Sequence, residues 1–316
     1  MKTMDLSVRI GSLRLANPVT VASGTFGYAS EFADLIDVRK LGAIITKTIT
    51  QEARPGNKPP RLAETPAGML NAIGLQNEGL EHFIREKLPG LKKLHTPVIV
   101  SISGNSSEEF VFLAQRLAAA GVEALELNLS CPNVLHRMSH TRGATPGLRD
   151  MMVSQDPKAT EQVVAKVRRS TKAALIAKLS PNVTDIAEIA AAAERGGADG
   201  ISLVNTFLAM AIDVETQRPV LANVTGGLSG PAIRPIAVRM VYDVARTVTI
   251  PIIGMGGIMD SRDALEFMLA GATAVCIGTA NFVAPAAALD ILSGIRDYLK
   301  KHKLTRVKDI RGAMKA

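Results

Sequence analysis

Eight short and almost continuously apolar runs recur along the chain. Each is followed by a polar turn and then a longer stretch in which apolar residues return at helical spacing. The runs are PVTVAS (18–23), AIITKT (43–48), PVIVSIS (97–103), ALELNLS (124–130), ALIAKLS (174–180), GISLVNT (200–206), PIIGMGG (251–257) and AVCIGTA (274–280). Their β-branched content and near-continuous hydrophobicity suit parallel strands covered on the outer face of a sheet. Between them, EEFVFLAQRLAAAG (108–121), DIAEIAAAAERGG (185–197) and SRDALEFMLAG (261–271) read as amphipathic helices that stop at glycine. Eight strand–helix units predict a closed parallel (β/α)8 TIM barrel of the α/β class rather than an open sheet, as one domain over residues 1–316. The opening LSVRIGSLRLANP (6–18) reads as a β-hairpin, a plug across the bottom of the barrel.

Three connections are long: residues 49–77, 131–157 and 207–230. All three leave the C-terminal ends of predicted strands. Long loops on that face of a barrel build and cover active sites.

Composition sharpens the picture in two places. With 316 residues, 47% of them hydrophobic and 21% charged, the chain can bury a large core. Its two cysteines, Cys131 and Cys276, provide no disulfide framework, so a reducing cytoplasm is expected. The N-terminal segment lacks the apolar stretch of a signal peptide, and no window approaches a membrane span. The net charge is +8, and most of the excess lies in KKHKLTRVKDIRGAMK (300–315). This tail reads as a solvated terminal helix, or as a docking surface for an acidic partner subunit, in preference to a nucleic-acid contact.

In a barrel, strand ends far apart in sequence converge, so polar residues there are functional candidates. Ser23, Lys47, Ser101, Ser103, Asn128, Lys178 and Asn205 end the first six strands. Lys47 and Lys178 each sit in an apolar run. Such a lysine must reach water at the rim, find an anion (a structural carboxylate or a ligand) or lose its proton. Two on one rim point to a shared anionic ligand. The glycines of GMGGI (254–258) and CIGTA (276–280) let backbone N–H groups approach a phosphate beside a helix N-terminus. Asn71, Asn128, Asn133 and Asn205 offer the paired donors and acceptors that a planar amide or imide requires. Cys276 fits a buried strand position. Cys131 instead starts a long loop that Pro132 keeps out of the helix, without a second cysteine or a histidine at metal-ligand spacing. A thiol acting as a base is the reading that remains, and no metal is expected.

Taken in order, ASGTFGY (22–28), TKTIT (46–50), NAIGLQN (71–77), LNLSCPN (127–133), AKLSPNVTD (177–185), VNT (204–206), GGLSGPAIRPIA (226–237), GMGGI (254–258) and IGTA (277–280) resemble the dihydroorotate dehydrogenase family over nearly the whole chain. Cysteine at the position of Cys131 marks class 1 of that family. The combination of ASGTFGY with NAIGLQN resembles subclass 1B, the NAD-dependent form. The resemblance implies FMN on the rim, one per chain, with Ser23, Lys47, Thr48, Asn128, Lys178, Val204, Gly230, Gly256, Gly257, Gly278 and Thr279 in the matching places. Gly256–Gly257 and Gly278–Thr279 would hold its phosphate, and Lys178 would stabilise the charge that grows on the reduced ring. Lys47, Asn71, Ala72, Ile73, Gly74, Leu75, Asn128, Asn205 and Thr206 would hold dihydroorotate, with Lys47 neutralising its carboxylate. Cys131 would take a proton from C5 as hydride leaves C6 for flavin N5.

Subclass 1B further implies a separate subunit carrying FAD and a 2Fe–2S cluster that delivers electrons to NAD+, around a homodimer, as a heterotetramer. This chain has neither a four-cysteine cluster motif nor G-x-G-x-x-G, which is compatible with such a partner. Two departures from the family pattern stand out. Ser101 occupies a position where the family generally has an FMN-contacting asparagine. The loop after Cys131 is longer than usual and lacks the glycine-rich turn before Asp156-Pro157. The rival readings are a dihydropyrimidine dehydrogenase-like flavin barrel, a tRNA dihydrouridine synthase, which would need an added helical RNA-binding domain, and a non-enzymatic phosphate-binding barrel.

Overall fold

The computed structural model describes residues 4–129 and 153–315. Expectations that concern Cys131, Asn133, His136, His140 and most of loop 131–157 therefore lie outside the described residues.

Strands β1 (Val8–Ile10) and β2 (Leu13–Leu15) form the N-terminal antiparallel hairpin. Val8, Ile10, Leu13 and Leu15 turn inward while Arg9 and Arg14 stay exposed, as a two-residue period demands. β3 (Val19–Val21) and β4 (Ala43–Ile45) open the barrel. β5 (Leu62–Thr65) and β6 (Gly68–Asn71) leave it as a second hairpin. β7 (Val98–Ile102), β8 (Ala124–Asn128), β9 (Ala174–Lys178) and β10 (Gly200–Leu203) continue it. β11 (Phe207–Ala209), β12 (Ile212–Asp213), β13 (Arg218–Pro219) and β14 (Gly226–Ser229) again lie outside. β15 (Ile252–Met255) and β16 (Ala274–Ile277) close the cylinder.

The barrel runs β3-β4-β7-β8-β9-β10-β15-β16, all neighbours parallel, with β16 pairing back onto β3. Each of the eight apolar runs became one of these strands. The hairpin does plug the N-terminal end of the barrel: a Cβ on Gly200, the first residue of β10, would come within 2.7 Å of Ile10 Cγ2.

The helices follow the predicted stripes. Ser107–Ala119 buries Phe110, Leu113, Ala114 and Leu117, the i, i+3, i+4, i+7 set, and starts where the Ser106 hydroxyl accepts from the Glu109 N–H. Asp156, Asp185 and Asp260 cap Pro157–Ser170, Ile186–Arg195 and Ser261–Ala270 in the same way. None of the described helices is long and apolar enough to cross a membrane.

Two expectations change. Connections 49–77 and 207–230 are not plain loops: together they build a four-stranded antiparallel sheet, β11-β14-β6-β5, over the barrel mouth. A small core of Leu70, Ala72 and Leu221 supports it. The basic tail is not one solvated helix either. Its helix, Ala287–Lys301, ends early, and a short 3-10 turn, Val307–Ile310, follows with Val307 and Ile310 buried. Asp5 clasps this segment, donating its N–H to Thr305 O and accepting at its carbonyl from the Val307 N–H.

Candidate active site

A cavity of about 530 Å³ opens at the C-terminal ends of the barrel strands, beneath the four-stranded sheet. That volume suits a small organic ligand or cofactor. Parallel strands bring their ends to one level, so residues from seven barrel strands and from β6 meet here. Ser23, Lys47, Thr48, Asn128, Lys178 and Val204 line it from the strand ends. Gly230, Gly256, Gly257, Gly278 and Thr279 line it from the turns after β14, β15 and β16. Asn71, Ile73, Gly74, Leu75, Asn205 and Thr206 complete the predicted set.

Ala72 is the exception. It follows Asn71 on an extended segment, so its side chain falls on the opposite face, wholly buried against Leu70 and Leu221. Its N–H donates to Arg61 O and its carbonyl accepts from Asn57 Nδ2, so it supports the wall without lining the cavity.

The two lysines differ in surroundings. Lys178 is only 5% exposed. Its ammonium donates to Ser23 Oγ at 3.3 Å and stands 3.9 Å from Glu126 Oε1. It thus combines two of the roles open to it, pairing with a carboxylate and lining the cavity. Lys47 is half-buried, and its N–H donates to Gly27 O. Among the described residues its ammonium has no hydrogen-bonded or ion-paired partner, which leaves the cation available to an anionic ligand.

Asn128 Nδ2 donates to Thr48 Oγ1, and Thr48 shares a 2.9 Å hydrogen bond with Ser101 Oγ. Ser101 is wholly buried and turns to Glu126 Oε1 at 3.0 Å, so it serves the layer under the cavity and does not line it. Ser103 is also buried and donates to Asn128 O. Asn71 Nδ2 donates to Gly227 O at 3.3 Å, and Asn205 Oδ1 accepts from the Thr206 N–H at 2.8 Å.

The glycine turns meet the demands of an anion cradle. Gly256 and Gly257 have φ of +121° and +79°, a region that side chains with a Cβ rarely adopt. A Cβ on Gly257 would lie 2.7 Å from Gly230 O and 2.9 Å from the Arg234 N. Helix Arg234–Ala245 begins at that contact, so its positive end faces the same turn. Thr279 Oγ1 donates to Ser229 Oγ at 2.9 Å, joining the β16 turn to the covering sheet.

Several residues of consequence were not singled out from sequence. Met69 and Ser229 arrive with the covering sheet, and Glu31, Phe32 and Met255 also line the cavity. Glu126 and Ser202 lie just beneath it, in runs whose apolar neighbours masked them. Cys276 is buried in β16, as its strand position predicted, and touches the cavity floor. Burial pushes its thiol up to about 12, a hydrogen bond from Thr20 and the Lys178 charge opposing that rise and Glu126 adding to it.

Fold and cavity together define a (β/α)8 barrel of the enzyme type, with its cavity at the C-terminal rim and glycine-rich turns after the last strands. The sequence profile of the family described as dihydroorotate dehydrogenase matches residues 5–299. The chain is 54% identical over 316 residues to the dihydroorotate dehydrogenase B (NAD(+)), catalytic subunit, of Geotalea daltonii, covering 100% of both chains. It is 52% identical over 311 residues to the protein of the same name from Phocaeicola vulgatus, covering 98% of this chain and 99% of the other. The chain belongs to the dihydroorotate dehydrogenase family, and with it to the oxidoreductases that act on dihydroorotate.

Proposed function

We propose that this chain converts (S)-dihydroorotate to orotate in pyrimidine (UMP) synthesis, with FMN held in the rim cavity and Cys131 as the base. The observation that carries the reading is the meeting in one cavity of about 530 Å³ of a buried lysine, a glycine cradle with positive φ and a second lysine whose ammonium has no partner among the described residues.

The cradle fits FMN: backbone N–H groups at Gly256, Gly257, Gly278 and Thr279 suit its phosphate, Gly257 packs against Gly230 O and the Arg234 N with no room for a Cβ, and the space over Gly278 is open. When bound, FMN supplies the hydride acceptor. Ser23, Thr48, Val204 and Gly230 would border it. Lys178 offers positive charge where negative charge grows during reduction, in a site screened from water. Lys47 pairs with the substrate carboxylate. Asn71, Asn128 and Asn205, with Thr206 and the 73–75 backbone, provide the donors and acceptors that a planar pyrimidine imide needs.

Cys131 takes the proton from C5 of the substrate. A free thiol ionises near pH 8.5, roughly, so turnover rises with pH until the thiolate is formed.

The relatives are named catalytic subunits of an NAD(+) enzyme. By the same reading, a partner subunit with FAD and a 2Fe–2S cluster carries electrons to NAD+, two such partners flanking a homodimer of this chain in the cytoplasm.

The test is optical. Purified protein loaded with FMN is yellow and bleaches anaerobically on adding dihydroorotate. Bleaching by dihydrouracil instead favours a dihydropyrimidine dehydrogenase-like activity, and protein that cannot take up FMN overturns the reading. Cys131→Ser lowers the bleaching rate by about 10²–10⁴-fold, the span of general-base catalysis. A flat pH profile across the thiol range removes Cys131 from the role.

A further inference from the structure

The interior of a (β/α)8 barrel is ordinarily filled by layers of branched apolar side chains. Directly under the rim cavity this barrel carries instead a polar belt on four adjacent strands, β7 to β10. Its centre is Glu126, with no exposed surface. Both carboxylate oxygens are engaged: Ser101 Oγ donates to Oε1 at 3.0 Å and Ser202 Oγ donates to Oε2 at 3.0 Å. These serines stand on β7 and β10, on either side of the β8–β9 pair, so the carboxylate is oriented from both directions. Lys178 Nζ completes the surroundings at 3.9 Å from Oε1. The lysine lines the cavity, while Glu126 does not.

A fully buried carboxylate is strongly disfavoured unless it is paired and hydrogen-bonded, and an apolar side chain would fill the same place at less cost. Fold stability therefore gives no reason for Glu126. The cavity does. An ammonium at its floor, with a side chain only 7% exposed, needs a counter-charge beneath it to stay in place where a ligand meets it.

We propose that Glu126 is the positioning residue of Lys178: it anchors the ammonium at the cavity floor and offsets part of its charge, which sets how readily a bound flavin is reduced. The inference rests on the reading that the cavity holds FMN. Serine at 101 fits the same arrangement, because its hydroxyl ties Glu126 Oε1 to Thr48 Oγ1.

The experiment measures the midpoint potential of FMN on the full chain, by dye equilibration at one pH, for the wild type, Glu126→Gln, Lys178→Met and the double variant. Glutamine keeps the shape and an acceptor for serine but removes the negative charge. In the wild-type background, Glu126→Gln raises the reduced-to-oxidised ratio about tenfold at fixed poise, about 30 mV for a two-electron couple. In the Lys178→Met background the same substitution changes the ratio less than about twofold, since the effect travels through the lysine. An unchanged or lowered potential, or an equal shift in both backgrounds, overturns the proposal. Should Glu126→Gln fail to fold, Ser202→Ala loosens the carboxylate alone and raises the ratio by a smaller factor, and no shift there overturns it equally. Wild-type protein that takes up no FMN is colourless from the start, and so separates failure of the cofactor reading from failure of this one.

Discussion

Asn128 Nδ2 donates to Thr48 Oγ1 at 3.1 Å, joining two cavity residues that stand 80 positions apart in the chain. Their strands, β8 and β4, are not neighbours, because β7 lies between them. Ser101 on β7 meets the same Thr48 hydroxyl. One threonine therefore ties three strand ends together at the rim. Thr48→Val keeps the volume and removes the hydroxyl, leaving buried polar groups short of a partner. Unfolding in urea is expected to show a loss of about 1–3 kcal/mol, and fluorescence titration a weaker hold on FMN.

The glycine cradle separates binding from stability. Gly257→Ala forces a Cβ against the Gly230 carbonyl and the Arg234 N at positive φ, which costs about 1–3 kcal/mol in strain. It is expected to lower the melting temperature and to release FMN together. At Gly278 a Cβ would meet only Ala22 Cβ, at 3.8 Å, among the described residues. Gly278→Ala therefore keeps its melting temperature, while its methyl group intrudes on the ligand and weakens FMN binding at least about tenfold, a loss of about 1.4 kcal/mol.

Lys47 distinguishes substrate from cofactor. A hydrogen bond to a charged group contributes about 1.5–3 kcal/mol, so Lys47→Ala is expected to raise the KM for dihydroorotate by about 10–100-fold. Orotate binding weakens in parallel. Stability stays within about 0.5 kcal/mol, since the ammonium holds no partner among the described residues. Equal KM values for wild type and variant would remove Lys47 from the carboxylate site.

Cys276 gives a pH signature. Its thiol is raised from 9.0 to about 12, chiefly by burial. Below pH 9, roughly, the thiol is neutral in folded and unfolded chains, and its stabilising effect is complete. As the pH climbs towards about 12 the unfolded thiol ionises first, so this share of stability is lost progressively. Urea midpoints that fall more steeply above pH 9, roughly, for the wild type than for Cys276→Ala are the expected result. Peptide mapping after alkylation of the folded protein at pH 8, roughly, should find Cys276 unlabelled, because the thiolate is the reacting form.

How much of this could be read from sequence depends on how each residue announces itself. The barrel strands were legible because both faces are buried, and continuous apolar runs such as ALIAK and AVCI leave no ambiguity of period. The covering sheet was not, since β5 and β6 are four residues long and half-exposed, and the pairing of β6 with β14 that joins the two connections spans over a hundred residues. Polar residues at strand ends were found by position alone. Glu126 escaped because one charged residue within ALELN resembles the alternation of a half-exposed strand, and only the closed barrel turns that face inward. Ala72 was drawn in by its neighbours Asn71 and Ile73, although an extended segment sends it the other way.

The clasp of Asp5 with Thr305 and Val307 gathers both ends of the described chain at the hairpin-plugged floor of the barrel. A flexible tether attached at either end would emerge on the side away from the cavity. The protein can thus be fixed to a sensor chip or resin by either tether with its mouth turned to the bulk solution.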